Sequence, residues 1–442
     1  MVYLRSLFLI IAGFAAGINA KSSTGDSVLV IVEPKQQDNY NLFFSGLKEQ
    51  GYDLTFRAPK AEAPALIEYD VPAFAHVIVL ASETKVFARD ITPQSLVQLL
   101  AKKTNLIVAL SPKQTPLTSL AAEFSLTLPP PGTPLVSYFP AREGPANVIP
   151  VSVPAKHTIL SPNLHPVWFS GVPHTIGNNP LLVPILRAPA ESFASETDGG
   201  SADSLVDSAE RGGEGLWAGS QQGLVTGFQT LDGSRITWVG GADVFSDEYA
   251  KKEVSKGVPS GNLQFARDVA KWTFQETNVL RIDRTTHNRV NSTESLDQYT
   301  TNDQIEYAAY ISKYDSKTGN WAPCTCLKDL QLEFTMLDPH IRTALLPVAA
   351  EPGKYATTFR APDRHGVFKF VINYKRKGMS FLESSTTVAV VPPRHDGYPR
   401  FLSAAWPYYT GAISTSVAFF LFSAVWLASE AREKKAKGHK AE

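Results

Sequence analysis

The chain has 442 residues and balances 42 Lys and Arg against 42 Asp and Glu, for a formal net charge of +0. That balance gives no overall field to attract a nucleic acid, and two cysteines cannot build a disulfide-stapled scaffold. Stability must come from ordinary hydrophobic cores, and the length leaves room for two or three of them.

At the start, Arg5, an apolar stretch over residues 7–18 and small residues before Lys21 have the form of a secretory signal, residues 1–20, with cleavage after Ala20. An α/β luminal region is expected over residues 21–279. It opens on the buried-strand run Val28-Leu29-Val30-Ile31-Val32. Asp38 or Asn39 is placed to cap a helix carrying Leu42, Phe43 and Leu47, which Gly51 stops. Strands over 52–56, 76–80 and 105–110, with a helix after Pro93 carrying Leu96, Leu99 and Leu100, continue the alternation. The pattern predicts a largely parallel sheet covered by helices on both faces. The loop Glu33-Pro34-Lys35-Gln36-Gln37-Asp38 has none of the glycines of a dinucleotide-binding turn, so no cofactor-binding residue is assigned.

Residues 191–215 are rich in Gly, Ser and acids, including Glu196, Asp198, Asp203, Asp207, Glu210 and Glu214. They predict a flexible acidic surface loop within residues 190–220, without the ligand spacing of a calcium loop. Strands over 223–229 and 235–239 follow. The second delivers Gly240-Gly241-Ala242-Asp243-Val244-Phe245-Ser246-Asp247-Glu248, where glycines permit a tight turn and Ser246 and Asp247 can cap the next helix. Asp243, Asp247 and Glu248 carry the right atoms for metal binding or acid–base chemistry, but no His or nucleophile accompanies them. No catalytic residue and no metal site is assigned; Asp243, Ser246 and Asp247 are candidate partner or ligand contacts. A helix with Phe265, Val269, Trp272 and Phe274 packs on the sheet.

A β-rich, sandwich-like region is expected over 280–395, with strands at 305–311, 330–336, 355–359, 367–374 and 386–391. Asp338-Pro339 and Asp363-Arg364-His365-Gly366 read as turns. Asn291-Ser292-Thr293 is a sequon, which makes Asn291 a candidate glycan acceptor in the inferred luminal part. Cys324 and Cys326 put both thiols on one strand face, which leaves a local disulfide and two packed or free thiols equally open; two sulfurs without further ligands make no zinc site.

A juxtamembrane linker over 396–410 leads to a transmembrane helix over 411–429. Its apolar run, 412–428, spans about 26 Å at about 1.5 Å per residue, and Trp406, Tyr408 and Tyr409 extend it at headgroup level. Gly411, Ser414, Ser416 and Ser423 allow close helix packing in lipid, which suggests assembly as well as anchoring. The tail, 430–442, carries Arg432, Lys434, Lys435, Lys437 and Lys440. Positive-inside bias puts it in the cytosol, in agreement with a signal that sends the N-terminus to the lumen: a single-pass, type I protein. A buried core helix is the alternative, with almost no chain left to cover it.

Certain segments carry a resemblance. Trp238-Val239-Gly240-Gly241-Ala242-Asp243-Val244-Phe245-Ser246-Asp247 resembles the glycine-rich phenylalanine-serine-aspartate segment of the 48 kDa subunit family of oligosaccharyltransferase. Gly51-Tyr52-Asp53-Leu54-Thr55-Phe56, Trp272-Thr273-Phe274-Gln275-Glu276, Gln331-Leu332-Glu333-Phe334-Thr335-Met336-Leu337-Asp338-Pro339, Pro362-Asp363-Arg364-His365-Gly366-Val367-Phe368-Lys369-Phe370 and Trp406-Pro407-Tyr408-Tyr409 are similar too, in order along the chain. The resemblance implies a non-catalytic assembly subunit of the endoplasmic-reticulum membrane complex that transfers a preassembled oligosaccharide from dolichyl diphosphate to Asn in Asn-X-Ser/Thr. It implies as partners a catalytic multispanning subunit, which supplies the carboxylates and a divalent metal, and the other subunits of the complex; no cofactor is expected on this chain. The two-lysine retrieval pattern is not matched, since Lys440 is preceded by Gly438 and His439. Two other readings compete: a subunit that recognises the glycan or dolichyl-pyrophosphate donor directly near Asp243 and Ser246, and a tethered autonomous hydrolase.

Overall fold

The computed structural model describes residues 21–140, 144–195, 217–397 and 402–437. The signal segment with Ala20, the acidic stretch from Glu196 to Glu214 and Lys440 lie outside them.

Apolar runs and helical periodicity alternate first: β1 (Ser27–Ile31), α1 (Asn41–Glu49), β2 (Asp53–Arg57), β3 (His76–Val79), α2 (Pro93–Ala101), β4 (Asn105–Ala109) and α3 (Pro116–Glu123). Of the strands that follow, four join the same sheet, β5 (Leu126–Thr127), β6 (His174–Ile176), β7 (Leu182–Arg187) and β8 (Gln222–Gln229); then come β9 (Arg235–Val239), α4 (Asp247–Lys251) and α5 (Asn262–Thr273). Nine of these strands form one sheet in the order β2-β1-β3-β4-β9-β8-β6-β5, with β7 also on β8. From β2 to β9 every pairing is parallel; from β9 onward every pairing is antiparallel. The expectation of a largely parallel sheet therefore holds for five strands, while the other four make the sheet mixed.

Alternation sends successive side chains to opposite faces. Val28, Val30, Ile78, Ile107 and Val239 meet Phe43, Leu47, Phe265, Val269 and Trp272 of α1 and α5. Leu29, Ile31, Val77, Val79 and Val108 meet Leu96, Leu99, Leu117 and Leu120 of α2 and α3. Both faces are thus covered, as parallel strands require.

The second region holds β10 (Leu280–Arg289), β11 (Gln298–Thr300), β12 (Gln304–Asp315), β13 (Asn320–Pro323), β14 (Gln331–Thr335), β15 (Pro339–Ala344), β16 (Leu346–Pro347), β17 (Lys354–Arg360), β18 (Gly366–Tyr374) and β19 (Leu382–Val391). One sheet runs β10-β12-β17-β16 with β13 on β12, the other β11-β19-β18-β14-β15. Ile305, Tyr307 and Ile311 of the first share one buried cluster with Phe334, Phe368, Phe370 and Val388 of the second. Phe334 and Phe368 stack at 4.7 Å between centroids. Cys324 and Cys326 are bonded, their Cα atoms 5.4 Å apart.

The final helix, α6 (Trp406–Lys437), begins inside the expected linker. Pro407 accounts for this: in a first turn its missing N–H costs nothing and its fixed φ suits the helix. Residues Ser403–Ser429 have a mean hydropathy of 1.8 with none of the apolar window buried, and Phe419, Phe420, Phe422, Val425 and Leu427 stand exposed. Apolar surface on all sides suits lipid rather than water.

Candidate functional site

Open parallel sheets bind ligands where the carboxyl ends of their strands form a crevice. Here β1 leads to Glu33, β3 to Glu83 and Thr84, β4 to Lys113, and β9 to Gly240 and Asp243. Much of this polarity is consumed internally. Thr84 donates to Glu33 Oε1 at 3.0 Å, and Lys113 Nζ lies 2.6 Å from Glu83 Oε2. Both partners of that pair are half exposed, so the bridge contributes little to stability.

Gly240 and Gly241 serve packing. A Cβ on Gly240 would stand 2.1 Å from the Val172 carbonyl oxygen, and one on Gly241 1.9 Å from that of Ser170. The two backbones are laced together where Val172 N donates to Gly240 O at 2.8 Å. Val244 and Phe245 are buried beyond the turn, and Phe245 stacks on Phe43 at 4.8 Å.

Ser246 and Asp247 are occupied as caps. Ser246 Oγ accepts from Tyr249 N at 3.3 Å and starts α4. Asp247 Oδ1 accepts from Leu42 N at 2.9 Å, so it caps α1, not its own helix. Neither Asp38 nor Asn39 caps that helix: both fall in a short 3-10 turn (Gln37–Tyr40), and the position before α1 is Tyr40, with no side-chain cap of its own. Asp243 is the one candidate of the three that caps no helix. Desolvation, then Glu248 and Glu83, push its carboxyl above the usual range. Asp243 itself is exposed. Burial, with Asp243 and Glu248 nearby, also pushes the Tyr249 hydroxyl up to about 12. Among the described residues no His, Cys, Asp and Glu group has the geometry for a metal ion. A pocket of about 530 Å³ lies to one side, lined by Lys113, Thr118, Pro129, Val172 and Trp217; it does not include Asp243, Ser246 or Asp247.

The opposite end of the same strands holds a denser polar cluster that residue-by-residue reading missed. Arg235 at the start of β9 is fully buried. Its guanidinium donates to the carbonyls of Trp272 (2.7 Å), Thr277 (2.9 Å) and Asn278 (3.0 Å) and to Gln229 Oε1 (3.0 Å), and lies 4.9 Å from the Trp272 ring centroid. Desolvation pulls it down to about 9, which leaves it charged at neutral pH. Trp272 Nε1 donates to Gly378 O at 3.0 Å across to the β-rich region. Gln275 Nε2 donates to Asn105 Oδ1 at 2.9 Å, Tyr52 donates to Glu276 Oε1 at 2.6 Å, and Phe274 stacks on His76 at 4.2 Å. The signals were present in the segments Gly51 to Phe56 and Trp272 to Glu276, whose shared meaning is this joint.

Asn291 sits exposed in the turn after β10, with φ +69°. Ser414 Oγ donates to Gly411 O at 2.9 Å and Ser416 Oγ to Ala412 O at 2.9 Å, so these two hydroxyls are satisfied within the helix. Gly411 and Ser414 face outward, and Ser423 is half exposed.

Fold and site together define a protein with an α/β region, a β-rich region and one long apolar helix, in which most conspicuous polar residues fasten elements to one another. The OST48 N-terminal domain matches residues 19–276 and the OST48 middle domain residues 287–430. The chain belongs to the OST48 family, that of the 48 kDa subunit of oligosaccharyltransferase. It is 28% identical over 454 residues to the dolichyl-diphosphooligosaccharide--protein glycosyltransferase 48 kDa subunit of Danio rerio, covering 97% of each chain. The subunit of the same name from Caenorhabditis elegans is 30% identical over 453 residues, with 97% of this chain and 96% of the relative covered. Subunit wbp1 of the Schizosaccharomyces pombe enzyme is 30% identical over 401 residues, covering 88% and 89%. Among solved structures, a putative thua-like protein from Parabacteroides merdae aligns with 56% of this chain and 89% of its own at 8% identity and a TM-score of 0.27, a likeness that supports no argument.

Proposed function

We propose that this chain is a structural and assembly subunit of an oligosaccharyltransferase complex, without the catalytic centre, held in the endoplasmic-reticulum membrane by α6. The observation that carries the reading is family membership along nearly the whole chain, joined to a site whose glycines and caps are spent on packing. In this reading the α/β and β-rich regions lie in the lumen, Asn291 accepts a glycan there, and the basic tail lies in the cytosol. The partners are a catalytic multispanning subunit, which binds the divalent metal, and the other subunits of the complex. Gentle detergent purification, partner identification and a peptide glycosylation assay test it. Activity should follow the assembled complex; a monomer without a catalytic partner would sink the assignment.

Asp243 favours a second reading, direct recognition of the dolichyl-linked oligosaccharide donor, because its carboxylate alone among the three candidates is not used as a cap. Donor affinity of the assembled complex after Asp243→Asn separates the two. The scaffold reading expects less than about a twofold change, well under the tenfold equivalent of 1.4 kcal/mol; a large loss with subunit composition intact favours donor recognition.

A further inference from the structure

We propose that the corner of the β-rich region formed by the Leu337 turn rests on the lipid headgroup surface of the bilayer crossed by α6. This rests on reading α6 as the membrane span.

Strand register places the turn. In the β18–β19 ladder Gly366 pairs with Val390 and Val367 with Ala389, the last pairs before the chain leaves the sheet at Val391. Thr335 of β14 pairs with Lys369 of β18, so Leu337, two residues further on, stands level with Val367 at the exit end. In chain order, residues 392–405 lead from this end to the anchor.

The chemistry of the corner suits a headgroup layer. Leu337 is 96% exposed and Val367 59%. The turn is braced from below: a Cβ on Gly366 would lie 2.7 Å from Met336 Cε, so Met336 folds over the start of β18. A single exposed leucine is ordinary on a protein surface; this one caps a braced turn on the end that leads to the anchor. Arg360, Arg364, Lys369 and Arg394 are exposed at that end, and none pairs with a carboxylate among the described residues. Asp338, Asp363 and Asp396 share the end, so the contact depends on the apolar wedge as much as on charge. Tethering by α6 keeps the effective concentration high, and a weak contact then suffices. Two apolar side chains fall far short of the roughly 800 Å² per partner of a standard protein interface, which favours lipid over protein. The same end carries Asn291 beyond β10, whose Arg289 pairs with Ile305 of β12.

The test uses the full chain, whose own cysteines are bonded to each other. A fluorophore is attached at Val367→Cys, or at Ala350→Cys beyond the opposite end of the same sheets, and the protein is reconstituted into phosphatidylcholine vesicles containing a headgroup-nitroxide lipid. Several-fold stronger quenching at Val367 than at Ala350 is expected, and adding Leu337→Asp should bring Val367 down to the Ala350 level. Equal quenching at the two sites, or no response to Leu337→Asp, overturns the proposal. Failure to float with vesicles would overturn the span reading and the contact together, whereas flotation without quenching overturns the contact alone. Val367 unquenched in vesicles but shielded in the detergent-solubilised complex would replace lipid by a protein partner.

Discussion

His76 shows how completely packing can commit one side chain to one protonation state. Its ring is buried against Phe274. Nε2–H donates to Gly25 O at 2.9 Å, and Nδ1 accepts from Asn105 Nδ2 at 3.2 Å. The Asn105 amide cannot turn to receive a second ring proton, because its oxygen already accepts from Arg235 N and Gln275 Nε2. Desolvation therefore lowers the His76 pKa from 6.5 to about 3, and burial lowers that of His174 to about 4. With a depressed folded pKa, the unfolded chain binds more protons between these values, so stability is complete above pH 6.5 and drains as pH falls toward 3. Denaturant unfolding from pH 7 to pH 4 should show decreasing stability, and His76→Gln should flatten the slope by up to about one proton. An unchanged slope in that variant would remove His76 from the account.

Among elements, α1 depends on a residue far away in sequence. Asp247→Ala should cost about 1 kcal/mol, the ordinary value of an N-cap, while Asp247→Asn keeps most of it; equal stability of the alanine variant by urea denaturation would show that water replaces the cap. The distance of this cap explains what could be read beforehand. Ser246 as a helix cap is a local property and was legible, whereas the bond from Leu42 to Asp247 requires the fold. Parallel strands such as Val28 to Ile31 announce themselves as unbroken apolar runs. The antiparallel extension does not, since β5 and β6 are two and three residues long, and Pro184 and two register shifts interrupt β7. β10 passed unseen for another reason: exposed Arg281, Asp283 and Arg284 break its alternation on a half-buried edge strand.

At the scale of the molecule, Arg235 and α6 fix different relations. Arg235→Met would leave the Thr277 carbonyl without its donor and take one of the bonds from the Trp272 and Asn278 carbonyls, which keep Gln275 N and Ser380 N, in a buried joint. A loss of about 3 kcal/mol or more is expected, with limited proteolysis opening the segment between α5 and β10; retained resistance would mean the joint is held by its other contacts, among them Trp272 to Gly378 and Ser380 to Asn278. The anchor sets the second relation, and its hydroxyls allow anchoring to be separated from assembly. Ser414 and Ser416 are bonded to their own helix, so insertion does not need a neighbour to satisfy them. What they and Gly411 offer is small bulk, and nothing lies within 4 Å of a Cβ built on Gly411. Replacing Ser414 and Ser416 with Leu adds apolar surface and blocks close approach at once. Resistance to alkaline extraction from membranes should therefore hold or rise. Co-purification of partner subunits should fall roughly fivefold, as expected for a helix contact of about 1 kcal/mol. Unchanged co-purification would confine α6 to tethering and move the assembly contacts to the regions outside the membrane.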